Sequence, residues 1–208
     1  MATIITKIEA AQRQIDTAID LWIEERDALS AFTLAFGSLK ILMNLYPHKA
    51  TDEFSAELDK IIGEVGWRSM SGNANFLKHA DRDPDAVLVN FDPDLPMPVI
   101  GLATLLFRRL NGSYSVKMRA LDSWIELVGA DELGIDDTDH DPKRVEANKR
   151  ERDRIKGLSP QEYRREARAY YEFFLANYER VDAEIAQAQS TGMTWKQAAD
   201  QQFSKLKK

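Results

Sequence analysis

The chain has 208 residues, 44% of them hydrophobic and 30% charged, which is apolar material enough for one or two packed domains. It contains no cysteine, so disulfides, thiolate catalysis and cysteine-ligated zinc are excluded. A net charge of −6 argues against a protein that binds nucleic acid through its overall charge.

Residues 1–7 lack the basic segment, apolar stretch and small-residue cleavage site of a secretory signal, and a cytoplasmic location is expected. Thr6 and Glu9 have capping-box spacing at the start of the first helix. Ile4, Ile8, Ala11, Ile15, Ile19 and Trp22 recur every three or four residues, which draws one apolar stripe along it. Asp27 can cap the next helix, over about 28–46, which is apolar almost all round. Ser30, Thr33, Ser38, Lys40 and Asn44 interrupt that run, so it reads as a buried core helix and no membrane span is expected. Ala31, Ala35 and Ser38 give it a small-residue face, suited to the centre of a bundle. Pro47 is expected to stop it.

Thr51 is placed to cap a third helix with Phe54, Leu58, Ile61, Ile62 and Val65 facing inward. Pro93, Pro96 and Pro98 predict an extended loop over 92–98, because each disfavours helix at the residue before it. Two shorter helices follow, at about 98–110 and 115–128, split by Asn111-Gly112. Only Val87-Leu88-Val89 offers even a weak strand candidate. After an acidic linker over 131–141, Pro142 opens a very polar helix to Lys156. Ser159-Pro160-Gln161-Glu162 is a strong helix start. From there Tyr163, Ala167, Tyr170, Phe174, Tyr178, Val181, Ile185 and Ala188 form a near-heptad seam, on a helix ~45 Å long. Gly192 closes it, and Thr194 with Gln197 suggests one more capping box. The expected architecture is all-α: a helical bundle over 1–130, the linker over 131–141, and a helical extension with a long seam-bearing helix over 142–208.

The run Asn73-Ala74-Asn75-Phe76-Leu77-Lys78-His79-Ala80-Asp81-Arg82-Asp83-Pro84 concentrates polar and ionisable side chains. In a helix Asn75 and His79 share one face, as do Lys78 and Arg82. His79 is then a candidate general acid–base group, with Lys78 or Arg82 to stabilise phosphate charge. The structural reading is that Asn75 and His79 hydrogen-bond the backbone where helix meets loop, with Asp81, Asp83 and Asp85 solvating that loop.

From Asn75 to Pro84 this run resembles a motif of uncharacterised helical proteins from proteobacteria. The opening Lys7-Ile8-Glu9-Ala10-Ala11-Gln12-Arg13-Gln14-Ile15 and residues 91–133 are similar to the same family. The resemblance covers about residues 5–133 and implies fold class more than activity. A weaker likeness is to HEPN proteins, helical bundles that often act as ribonucleases in toxin and antiviral systems. Their active helix has an arginine four to six residues before its histidine. His79 could match the histidine, but the arginine's window holds Gly72, Asn73 and Ala74, and Arg68 is too distant.

Asp137, Asp139 and Asp141 open like a calcium loop, but Pro142 and Asn148 stand where its glycine and bidentate glutamate belong. Asp81, Asp83, Asp85 and Asp92 have that spacing too, with Ala86 at the glycine position. His48, His79 and His140 are too far apart for a local zinc motif. There is no phosphate-binding glycine loop and no Gly-x-Ser-x-Gly, so neither metal nor cofactor is expected.

Charge is unevenly spread: residues 1–142 carry 13 Lys+Arg against 24 Asp+Glu, or −11, and residues 143–208 carry 15 against 10, or +5. Lys149, Arg150, Arg152 and Arg154 are the candidate nucleic-acid contacts within this basic part. They alternate with acids, as on a solvated helix face. The function expected from all this is a non-enzymatic interaction or scaffold protein, a homo-oligomer or one bound to a protein partner through the 163–188 seam. The alternative is an RNA-directed, HEPN-like protein, a divergent ribonuclease using His79, Lys78 and Arg82.

Overall fold

The computed structural model describes residues 4–49, 67–79, 81–133 and 142–193. The fold is all-α, with seven helices among those residues and no strand. They are α1 (Lys7–Ile23), α2 (Ala28–Lys49), α3 (Trp67–Lys78), α4 (Pro96–Asn111), α5 (Val116–Leu133), α6 (Pro142–Lys156) and α7 (Pro160–Ser190). The third helix expected from Thr51 and the capping box at Thr194 fall outside the described residues. The chain divides into two compact units, Met1–Met118 and Arg119–Lys208, so the division falls within α5.

In the first unit, α1 starts where its cap dictates. The Thr6 backbone N–H donates to the Glu9 carboxylate at 2.7 Å, and the Glu9 N–H donates to the Thr6 hydroxyl oxygen at 3.2 Å. These bonds hold the Glu9 carboxyl below its usual range. Ala11, Ile15, Ile19 and Trp22 are buried as the stripe requires and Ile8 is half-buried, whereas Ile4 precedes the helix and is exposed. The Asp27 carboxylate accepts the Ser30 N–H at 3.1 Å and starts α2.

Helix α2 packs against both α1 and α4, with a lighter contact to α3. By length and composition it is apolar enough to cross a membrane. Here it buries Ala31, Phe32, Ala35, Phe36, Ser38, Leu39, Leu42 and Tyr46. The Ser38 hydroxyl, fully buried, donates to the Ala35 carbonyl at 2.7 Å. At Gly37 a Cβ would come within 3.3 Å of the Gln14 side-chain oxygen, so α1 and α2 approach closely there.

Two proline expectations are corrected. Pro47 lies inside α2, which runs on to Lys49. Near a helix end the interior bond that proline forfeits is lost over one last turn only. Helix α4 begins at Pro96, not after Pro98. Both prolines occupy its first turn, where a backbone N–H has no partner within the helix anyway. Leu95 is helical although proline follows it. The left-handed Gly112 (φ 77°) ends α4, its N–H donating to the Arg108 carbonyl at 2.7 Å.

Side chains then tie α1 to the start of α5. The Ser115 hydroxyl accepts the Met118 N–H at 3.1 Å and donates to the Asp16 carboxylate, and Lys117 pairs with Asp20. Burial pushes the Asp16 carboxyl up, against the lowering effect of Ser115 and Lys117. A raised carboxyl favours the folded state at low pH and loses that contribution as pH climbs through the folded value. Asp16→Asn keeps an acceptor for Ser115 without the charge. It should stabilise the protein at pH 7 by up to about 1 kcal/mol, since Asp16 is only half-buried. That advantage should shrink as pH falls through the Asp16 titration; denaturant midpoints from pH 3 to 7, on both proteins, check it.

In the second unit, the short link Gly157-Leu158-Ser159 turns α6 into α7. The Gly157 and Leu158 N–H groups donate to the carbonyls of Arg154 and Ile155, and Ser159 forms its capping box with Glu162. The α7 seam meets α5. The Trp124 ring lies 5.6 Å from that of Tyr163 and 5.4 Å from that of Tyr170, and the indole N–H donates to the Tyr163 hydroxyl at 3.1 Å. Tyr170, Phe174 and Tyr178 continue as a ladder of rings 6.5 and 5.8 Å apart. At its far end the Arg119 guanidinium lies 5.6 Å from the Tyr178 ring and 3.7 Å from the Asp182 carboxylate. Since 119 meets 178 and 124 meets 163, the two helices run antiparallel. The side chains of Val181, Ile185 and Ala188 lie outside the described ones.

Candidate functional site

The polar run singled out by the sequence straddles the end of α3. Lys78 is the last helical residue, and the His79 N–H still donates to the Asn75 carbonyl at 3.0 Å, as the next residue of a helix would. The chain then turns: the Arg82 N–H donates to the His79 carbonyl at 2.9 Å, and the Ala86 N–H to the Asp83 carbonyl at 3.0 Å. Helix hydrogen bonding therefore positions 75–79, whereas 82 belongs to the turn beyond.

The candidate side chains differ in their surroundings. The Lys78 ammonium lies 5.4 Å over the ring of Phe36, so its charge is engaged with an aromatic of α2. Asn75 and Arg82 are exposed, and His79 is half-buried. The His79 imidazole makes no hydrogen bond to a described residue, so the backbone bonding expected of that side chain is made by its main chain instead. Acid–base work needs the imidazole within reach of a proton and of a group that orients it. Neither Lys78 nor Arg82 is hydrogen-bonded to it. Nor do the described residues contain a group of three His, Asp or Glu side chains able to hold a metal ion.

The four candidate nucleic-acid contacts on α6 differ in the same way. Arg152 is buried, 6% exposed. Arg150 pairs with Glu146 at 3.0 Å. The Arg154 guanidinium is held by Glu151 and Glu166, both at 2.7 Å, and their hydrogen bonds raise its already high pKa. Lys149 alone of the four is exposed with no ion pair among the described residues. Two of the four are therefore paired with acids of the same unit and a third is buried, which leaves Lys149 the most open of them to a phosphate backbone.

What the sequence reading passed over lies between the turn and α4. Residues 86–90 belong to no helix or strand, and Asn90 ends them in a left-handed conformation (φ 56°). Val87 is 76% exposed and Val89 72%, with Leu88 half-buried between them. Phe91 anchors the far end, its ring edge-on to that of Phe32 at 5.9 Å. The period-two signal at 87–89 was visible in the sequence; that it would face outward was not. Comparison of the chain with family models, with curated proteins and with solved structures finds no match.

Proposed function

We propose that this chain is a non-enzymatic helical scaffold that binds other polypeptides. The observation that carries this reading is the surroundings of the candidate catalytic groups: Lys78 lies over Phe36, Arg82 is exposed, and the His79 imidazole has no hydrogen-bond partner among the described residues. The pairing of Arg150 and Arg154 with acids on α6 and α7 weighs the same way against an RNA-directed role. Exposed apolar side chains at Val87, Val89 and Phe173 suit a protein that docks onto others. The α7 seam is engaged by α5 from Tyr163 to Tyr178, so a second copy would have to displace α5 to use that stretch.

The test is cleavage of mixed cellular RNA on a denaturing gel, wild type beside His79→Ala. Intact RNA in both lanes is expected. Cleavage by the wild type that the substitution abolishes would sink the scaffold reading and restore the HEPN-like one.

A further inference from the structure

We propose that residues 86–90 form a docking strand for an extended, basic segment of another protein, which pairs with them edge to edge. This rests on the scaffold reading and adds the place and chemistry of the contact. A chain that adds a strand gains main-chain hydrogen bonds, and its alternate side chains give specificity. Val87, Leu88 and Val89 make no hydrogen bond to any described residue, so their N–H and C=O groups remain for a partner. Both ends are held: the Ala86 N–H on the Asp83 carbonyl begins the segment, and the Phe91 ring on Phe32 ends it. Fixing both ends removes part of the ordering cost that a segment loose at its ends would carry.

Charge selects the occupant. Asp81, Asp83, Asp85 and Asp92 flank the valines and are exposed, with Arg82 the one cation among residues 81–94. A second copy pairing through the same residues would bring these carboxylates together, and like charges facing across a strand pair destabilise it. The Asp92 carboxylate does accept the Asp94 N–H at 2.9 Å, which leaves its charge in place. A strand whose apolar centre meets Val87 and Val89, with lysine or arginine on either side, satisfies both features.

The probe is a fluorescein-labelled peptide, Lys-Lys-Val-Thr-Val-Thr-Val-Lys-Lys, beside a version with glutamate for every lysine. Anisotropy titration of the full chain at low salt should show saturable binding of the lysine peptide, at least about 10-fold tighter than the glutamate peptide. The double variant Val87→Asp with Val89→Asp should lose it by a similar factor, and since both positions are exposed its circular dichroism should match the wild type. Amide hydrogen exchange at 87–89 should slow when the lysine peptide binds. Equal binding of the two peptides, or full binding by the double variant, would overturn the proposal. So would saturation absent at about 1 mM peptide, or self-association of the wild type that the double variant abolishes. RNA cleavage by the same preparation would instead count against the scaffold reading, whatever the peptides do.

Discussion

Replacing Phe32 by alanine should lower the unfolding free energy by about 3–5 kcal/mol, one of the two largest losses expected of a single side chain here. Phe32 is fully buried on α2, the helix that packs on both α1 and α4. Its ring stacks on Phe36 at 5.7 Å and receives the edge of Phe91. Truncation removes the transferred area, leaves a cavity and deletes two aromatic contacts worth about 0.5–1.5 kcal/mol each. It also frees Phe91, the anchor of the 86–90 segment. Urea unfolding should thus show a lower midpoint, and hydrogen exchange at 87–91 should accelerate under native conditions. A loss below about 1 kcal/mol would mean that α1 and α4 close over the gap, and that α2 is not the centre of its unit.

The features legible in the sequence were those with local causes. Thr6, Asp27 and Ser159 each cap a helix with a partner two or three residues away, so spacing alone located them. The α1 stripe and the small face at Ala31, Ala35 and Ser38 followed from helical period and size. Proline misled because its cost depends on position in a helix. Pro96 and Pro98 sit where no N–H is needed, and a rule about preceding residues has no sight of that. The bond from Ser115 to Asp16 joins residues 99 apart, and no pattern along the chain announces it. What the candidate residues pack against was hidden for the same reason. Lys78 and His79 were rightly read as neighbours at a helix end, but what Lys78 touches is Phe36, on another helix.

The basic helix teaches the complementary lesson. Of Lys149, Arg150, Arg152 and Arg154, Arg150 pairs with Glu146 and Arg154 with Glu151 along α6 itself, and Glu166 of α7 adds a second partner for Arg154. Of these contacts, Glu146 with Arg150 and Glu151 with Arg154 are helix-neighbour pairs and could be read from spacing. Glu166 with Arg154 needs the turn at Gly157.

Trp124→Ala should be as damaging in the second unit, at about 3–5 kcal/mol, and its consequence reaches function. Trp124 is 3% exposed and is what α5 sets against Tyr163 and Tyr170. Its indole N–H also satisfies the Tyr163 hydroxyl, so Trp124→Phe should lose about 1 kcal/mol from the hydrogen bond besides the smaller ring's lost burial. With the indole gone, the rings of Tyr163 and Tyr170 lose their cover on one side of α7. A long helix with an uncovered near-heptad stripe buries it against another helix if it can. Light scattering at micromolar concentration should accordingly find the wild type a monomer and Trp124→Ala a dimer. A destabilised but monomeric variant would show that the seam is not complementary to itself. A wild-type dimer retained when Trp124 is replaced would place the self-association outside the α5–α7 contact altogether. In the expected case α5 occupies the seam that a second copy would otherwise take.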